Sequence, residues 1–292
     1  MPLQAHELAR NHLKQKLARG EVAASMTVRL VRDPAIAQMA KSAGFDSFYI
    51  DIEHCGFSLE TVSALCLAGL AAGITPMVRV PNGNAEWVTR VLEGGALGVI
   101  VPHVRSADEA KRVVAAAKFA PAGERSYAGG APQLQFRAFP AVEAMAALND
   151  ATLVAVMMET LDALEHVEDI AAVEGVDMLF IGSNDLTTEM GIVGKLDDPR
   201  LRAAFARTIE ACRKHGKHVG IGNFHAIALH LAPVLKVCKQ LAIAATQIEH
   251  AGPGPDAAGD GLEIRACGKA LGGSGHHNVR WMLSNQLRTS AR

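Results

Sequence analysis

Residues 152–189, TLVAVMMETLDALEHVEDIAAVEGVDMLFIGSNDLTTE, decide the fold. Two continuous apolar runs, TLVAVMME from Thr152 and DMLFIG from Asp177, flank a segment with helical spacing that Gly175 closes. Strands that are apolar at every position are buried on both faces, as in a parallel sheet covered by helices. The same unit recurs outward in both directions. Further strands are expected near Ala23 (AASMTVRL), Asp46 (DSFYIDIE), Ile74 (ITPMVRV), Leu97 (LGVIVP), Lys217 (KHVGIG) and Leu241 (LAIAAT). Gly44, Gly73, Gly95, Gly175 and Gly216 stand where left-handed helix caps belong. Eight strand–helix units in about 250 residues predict an α/β fold, a (β/α)8 TIM barrel. A doubly wound open sheet is the alternative, disfavoured because no glycine-rich dinucleotide or phosphate loop follows the first strand.

Composition narrows the class. The 292 residues are 49% hydrophobic and 20% charged, which supports one large core and excludes a disordered chain. Net charge is −1 without a basic run, so neither nucleic acid nor a membrane surface is an expected partner. No apolar stretch approaches the roughly 18 residues of a spanning helix. The first twenty residues, MPLQAHELARNHLKQKLARG, read as helix rather than signal peptide. Five cysteines (Cys55, Cys66, Cys212, Cys238, Cys267) form no close-paired motif and read as reduced thiols of a cytoplasmic protein. The connection from Pro121 to Asp150 is expected to fold over a barrel mouth, with Tyr127 narrowing it. The stretch 251–278, rich in Gly, reads as loop, with a short helix resuming over Val279–Leu283.

In a barrel, functional groups gather where strands end. Four ends are unusually polar: Asp51-Ile52-Glu53-His54, Arg79-Val80-Pro81, Glu159-Thr160, and Ser183-Asn184-Asp185. Each residue has a structural reading, as helix cap, loop histidine or paired arginine. Glu159 is harder to dismiss, because a carboxylate ending an apolar strand must be paired or bind a cation. Glu159 and Asp185 lie on consecutive strands, and two carboxylates without a Cys/His cage suit a hard divalent cation, Mg2+ or Mn2+, more than zinc. Arg79 offers a planar cationic fork for a developing enolate. His54 can move protons near neutrality, and Asp51 can fix its tautomer. Together these residues suit forming a cation-stabilised enolate from a 2-oxo acid.

The run AGFDSFYIDIEHCGFSLETV, then PMVRVP, then VMMETLDALEHVEDIAAVEGVDMLFIGSNDLTTEMG through CRKHGKHVG resembles the metal-dependent (class II) pyruvate aldolases. That group includes the 4-hydroxy-2-oxoheptanedioate and 2-dehydro-3-deoxyglucarate aldolases of the aldolase/citrate lyase superfamily. The resemblance covers about residues 20–222 and rests on D-x-E-H, R-V-P, E-T and I-G-x-N-D-L in this order. It implies one barrel domain over 1–292, with 223–292 a divergent C-terminal segment, in a homo-oligomer. It implies a divalent metal ion (Mg2+ or Mn2+, with Co2+ a further option) held by Glu159 and Asp185. His54 would transfer the proton, oriented by Asp51, while Arg79 would hold the pyruvyl oxygen. Ser183 and the backbone amides of Asn184 and Asp185 would receive the substrate carboxylate.

The implied reaction is reversible cleavage of a 4-hydroxy-2-oxo acid to pyruvate and an aldehyde. Two other readings stand beside it, an acyl-CoA lyase of the citrate lyase or malyl-CoA type and a catalytically inactive barrel. The chain departs from the family at Met157, where Gln is common, and again after Gly222, where the usual barrel end is not recognisable.

Overall fold

The computed structural model describes residues 3–222 and the backbone of 279–283. Seven strands fall where the apolar runs predict: β1 (Ala23–Val28), β2 (Ser47–Asp51), β3 (Thr75–Arg79), β4 (Gly98–Val101), β5 (Leu153–Met158), β6 (Met178–Ile181) and β7 (His218–Ile221). Each pairs in parallel with the next, and the sheet curls into a barrel wall with helices outside. The strand expected near Leu241 lies outside the described residues. Val279–Leu283 forms β8 instead of the expected helix, pairing antiparallel with both β7 and β1. The unpaired backbone groups on those two edges outweigh the local preference of a five-residue segment. What is established is an α/β fold built on a seven-stranded parallel barrel sheet.

Helix Leu59–Ala72 shows how the units form. Ser58 caps it by accepting from the Thr61 N–H, and Gly73 ends it at φ 67°, a conformation costly for any residue with a Cβ. Its inner face carries Val62, Leu65, Cys66 and Gly69. At Gly69 the Phe48 ring comes so close that a Cβ would lie 2.7 Å from it. All five glycines expected to cap helices have positive φ.

Residues alternate strictly between two cores. Phe48, Ile50, Val78, Val99, Val154, Val156, Leu179 and Val219 pack outward against the helices. Tyr49, Met77, Ile100, Ala155, Met157, Met178 and Phe180 fill the barrel interior. The helix His12–Ala18 plugs the bottom, with Leu13 and Leu17 completely buried in that interior core. Burial of two leucines contributes roughly 3–6 kcal/mol before entropic costs. Asn11 Nδ2 fastens the plug by donating to the Leu97 and Ala151 carbonyls, just ahead of β4 and β5.

The connection between β4 and β5 corrects an expectation. It packs on the bottom, away from the mouth. Gln133 Nε2 donates to the carbonyls of Leu92 and Ala96, and Leu134, Ala144 and Leu148 cluster with Ala5, Ala9 and Leu97. The cause is helix length: Ala107–Ala117 starts beyond β4 at the mouth, and eleven residues at about 1.5 Å each return the chain to the opposite end. Tyr127 packs edge-on to Phe119 there, with ring centroids 5.7 Å apart, and does not narrow the mouth. Among the described residues no helix is long and apolar enough to cross a membrane.

Candidate active site

The alternation that fills the interior also aims polar residues into the mouth. Asp51 lies two residues after Tyr49, Arg79 two after Met77, and Glu159 two after Met157. All three are buried at the carboxyl ends of β2, β3 and β5.

Asp51 and Arg79 are register partners across β2 and β3. The guanidinium therefore meets the carboxylate as a fork, Nε donating to Oδ1 at 3.0 Å and Nη2 to Oδ2 at 2.5 Å. The remaining nitrogen, Nη1, lies 3.0 Å from Glu53 Oε2 as an ion pair that is not an aligned hydrogen bond, so this buried oxygen is left short of a donor. Burial disfavours the Arg79 cation, but the hydrogen bonds and charge of Asp51, together with Glu53, outweigh it and raise its pKa.

Glu159 is only 1% exposed. Its Oε1 accepts from the His103 backbone N–H at 2.7 Å and lies 3.0 Å from the same residue's Nδ1. The other ring nitrogen of His103 lies 3.1 Å from Glu53 Oε1, so one imidazole bridges the two carboxylates. His103 achieves this in the left-handed conformation, φ 58°, which costs of the order of 1 kcal/mol for a non-glycine residue. Burial pushes the Glu159 pKa up, the His103 N–H and ring charge oppose that, and the charges of Asp185 and Glu53 push it up further. Asp185 is thus close enough to repel Glu159. It stands exposed in the first turn of the helix Ser183–Glu189, where the Ser183 hydroxyl is buried without a partner.

A divalent cation fits this donor set. Two carboxylates repel one another beside an orphaned hydroxyl, and hard cations prefer oxygen ligands. Among the described residues no three His, Cys, Asp or Glu side chains converge as a closed cage. A hard cation takes six or more oxygen ligands, so one held by two carboxylates would keep positions for water and substrate.

His54 is half-exposed at the rim. Its backbone N–H donates to Asp51 Oδ1 at 3.3 Å, while its ring Nε2 faces Glu53 Oε2 at 3.5 Å. The contact seen at the imidazole is thus Glu53 rather than the expected Asp51, whose oxygens are turned to the Arg79 fork. Met157 sits in the apolar interior with Met178 and Phe180, so the floor beneath Glu159 has hydrocarbon and thioether where an amide is usual. Two residues of the cluster were not among the candidates. His103 follows Pro102 just past β4, and Arg29 continues the inward alternation of β1 one step beyond its end, with Nε 3.6 Å from Asp51 Oδ2. Arg29 lies inside the run AASMTVRL, in phase with the inward Ala23, whereas His103 is out of phase with the inward Ile100 and turns in through its positive φ.

The family model described as HpcH/HpaI aldolase/citrate lyase matches residues 25–229. The 4-hydroxy-4-methyl-2-oxoglutarate aldolase of Hapsidospora irregularis is 43% identical over 218 residues, covering 74% of this chain and 80% of that one. The 4-hydroxy-2-oxo-heptane-1,7-dioate aldolase of Salmonella typhimurium is 35% identical over 185 residues, or 63% of this chain and 70% of that one. A crystal structure of an HpcH/HpaI aldolase from Desulfitobacterium hafniense superposes with a TM-score of 0.71 at 26% identity, covering 84% of this chain and all of that one.

Proposed function

The chain belongs to the HpcH/HpaI aldolase/citrate lyase family, and from that premise we propose a divalent-metal-dependent aldolase that reversibly cleaves 4-hydroxy-2-oxo acids to pyruvate and an aldehyde. Its relatives are named as aldolases over most of the chain, which supports the reaction class. The observation that carries the residue roles is Glu159: a carboxylate only 1% exposed at the end of an apolar strand, against which the start of the helix carrying Asp185 packs so closely that a Cβ on Gly182 would lie 2.5 Å from its Oε2.

Glu159 and Asp185 would hold the cation, with Mg2+ or Mn2+ the fitting ions. When bound, such an ion supplies Lewis acidity at the 2-oxo group. The remaining work falls to side chains. His54 accepts the proton of the 4-hydroxyl. The C3–C4 bond then breaks, C4 becomes the aldehyde carbonyl, and the bonding pair passes into the C2–C3 enolate, which is protonated at C3 to give pyruvate. Glu53 Oε2 lies 3.5 Å from the His54 ring nitrogen. Arg79, fixed by the Asp51 fork, presents permanent charge to the enolate oxygen without needing to reorganise. The orphaned Ser183 hydroxyl and the amides of Asn184 and Asp185 receive the substrate carboxylate. The seven parallel strands supply all these positions, and a complete (β/α)8 barrel is the architecture we assign to the whole chain.

The test is pyruvate release from a 4-hydroxy-2-oxo acid by protein supplied with Mn2+. Release is expected to stop on chelation and to return on adding the metal. Release that survives both chelation and Glu159→Ala refutes the reading.

A further inference from the structure

Arg29 is a cation that the reaction just described does not use. Alternation along β1 sends Ala23 into the barrel interior, and Thr27 follows it there, its hydroxyl meeting the hydroxyl of the interior Tyr49 at 2.5 Å. Arg29 is the next inward position, one residue beyond the strand and inside the mouth. Its Nε leans toward Asp51 Oδ2 at 3.6 Å, beyond hydrogen-bond distance. Each Asp51 oxygen already accepts a hydrogen bond from the Arg79 fork, so the longer Arg29 contact is a secondary one. Among the described residues the two Nη nitrogens of Arg29 have no partner, and the side chain is 42% exposed. A guanidinium aimed into a mouth, only loosely engaged with its nearest carboxylate and with its Nη edge unpartnered among the described residues, is suited to receive an anion.

Its position says which anion. Arg29 Nε and Arg79 Nη2 both approach Asp51 Oδ2, at 3.6 and 2.5 Å, so the two nitrogens are within about 6 Å of each other. An anion on Arg29 therefore lies only a few bonds from a carbon reacting beside Arg79. We propose that Arg29 is a specificity-determining residue that binds the carboxylate of the acceptor half, so that the carbonyl partner released or captured is a short oxo acid rather than a neutral aldehyde. The carboxylate of the pyruvate half has its own receptor at Ser183–Asp185. The substrate is then a short dicarboxylate with one end on each side of the mouth. This assignment rests on the aldolase reading of the same site.

The test runs the reaction in the addition direction, with pyruvate as donor, Mn2+ present, and either glyoxylate or its neutral counterpart glycolaldehyde as acceptor. The wild type is expected to favour glyoxylate in kcat/KM by at least about tenfold, the scale of one charged hydrogen bond. Arg29→Gln should lower the glyoxylate-to-glycolaldehyde ratio at least tenfold, mainly through KM for glyoxylate. Arg29→Lys should restore part of it. Arg105→Gln, which alters an exposed arginine paired with Asp162 beyond the cluster, should leave the ratio at the wild-type value. Melting curves confirm that each variant is folded. Proton exchange at the pyruvate methyl, which needs no acceptor, separates the two levels of the argument. Exchange with no acceptor preference in the wild type, or a ratio within twofold of wild type in Arg29→Gln, overturns the role of Arg29 and leaves the aldolase reading standing. Absence of metal-dependent exchange overturns both.

Discussion

Substituting Gly182 by alanine tests the geometry of the site without touching a charged group. Gly182 follows β6 and precedes the helix Ser183–Glu189, at φ −91° and ψ 84°, so alanine meets no left-handed strain there. The obstacle is contact. An added Cβ would lie 2.5 Å from Glu159 Oε2, 2.9 Å from Glu159 Cβ and 3.0 Å from Met157 Cε. Ordinary packing needs about 3.5–4.0 Å, so the carboxylate oxygen must retreat by roughly 1 Å. Rotating the glutamate side chain relieves the first contact but not the second, because its Cβ is fixed by the main chain of β5. The strand end itself has to move. Overpacking of this kind costs about 1–3 kcal/mol, and a catalytic group displaced by about 1 Å loses on the order of a hundredfold in rate. Gly182→Ala is therefore expected to stay folded, melt a few degrees lower, and release pyruvate about a hundredfold more slowly, with weakened Mn2+ binding. Gly56→Ala, where an added Cβ meets nothing within 4 Å, is the matched control and should resemble wild type. Wild-type turnover in Gly182→Ala would refute the placement of Glu159 at the reacting centre.

Other variants address separate links of the argument. Arg79→Lys keeps the charge but loses the fork on Asp51, so about 1.5–3 kcal/mol of charged hydrogen bonding is at risk, and melting should fall by several degrees. Its turnover should fall at least about a hundredfold, and a variant that melts lower but turns over normally would reduce Arg79 to a structural partner. Saturating Mn2+ at about a hundred times its Kd should stabilise the wild type by about 2.7 kcal/mol, read as a higher melting temperature, and do nothing for Glu159→Ala. An equal upward shift in both proteins would place the cation elsewhere. His218 opens β7 half-buried, and burial lowers its pKa below the ordinary value of 6.5, with Asp177 opposing and Lys14 and Lys217 assisting. As pH falls through 6.5 the unfolded chain takes up this proton before the folded one, so stability is lost on acidification. Melting temperature should therefore drop more steeply between pH 7 and 5 in wild type than in His218→Gln, and parallel slopes would contradict the burial argument.

How far the sequence could be read depended on what each signal encodes. Continuous apolar runs located β1 to β7, and the closing glycines marked helix ends, because burial and positive φ are local demands. That Asp51, Arg79 and Glu159 face the barrel mouth was legible because alternation along a buried strand and just past its end fixes direction as well as position. The side of the barrel on which 121–150 lies was not local. It follows from counting the rise of the preceding helix, and the expectation of a lid over the mouth failed on that count. β8 was misread as helix because its stability comes from two distant strand edges. Arg29 stands one residue past β1, where alternation still carries it inward, whereas His103 stands two past β4 in the outward phase of Val99 and Val101 and reaches the site through its left-handed backbone, which no periodicity reports. That Glu53 rather than Asp51 faces the His54 ring depends on the Asp51–Arg79 register pairing, which no spacing within one strand reveals.

Proton exchange at the methyl group of pyruvate in deuterated water, followed by NMR, reads the enolisation step directly. Exchange requires enolisation and nothing else, so it isolates the chemistry assigned to Arg79, Glu159 and Asp185 from acceptor choice. With Mn2+ the wild type should exchange these protons, and chelation, Glu159→Ala or Arg79→Lys should each suppress the exchange at least about a hundredfold. Exchange that continues at the wild-type rate in chelated Glu159→Ala protein would contradict the central claim.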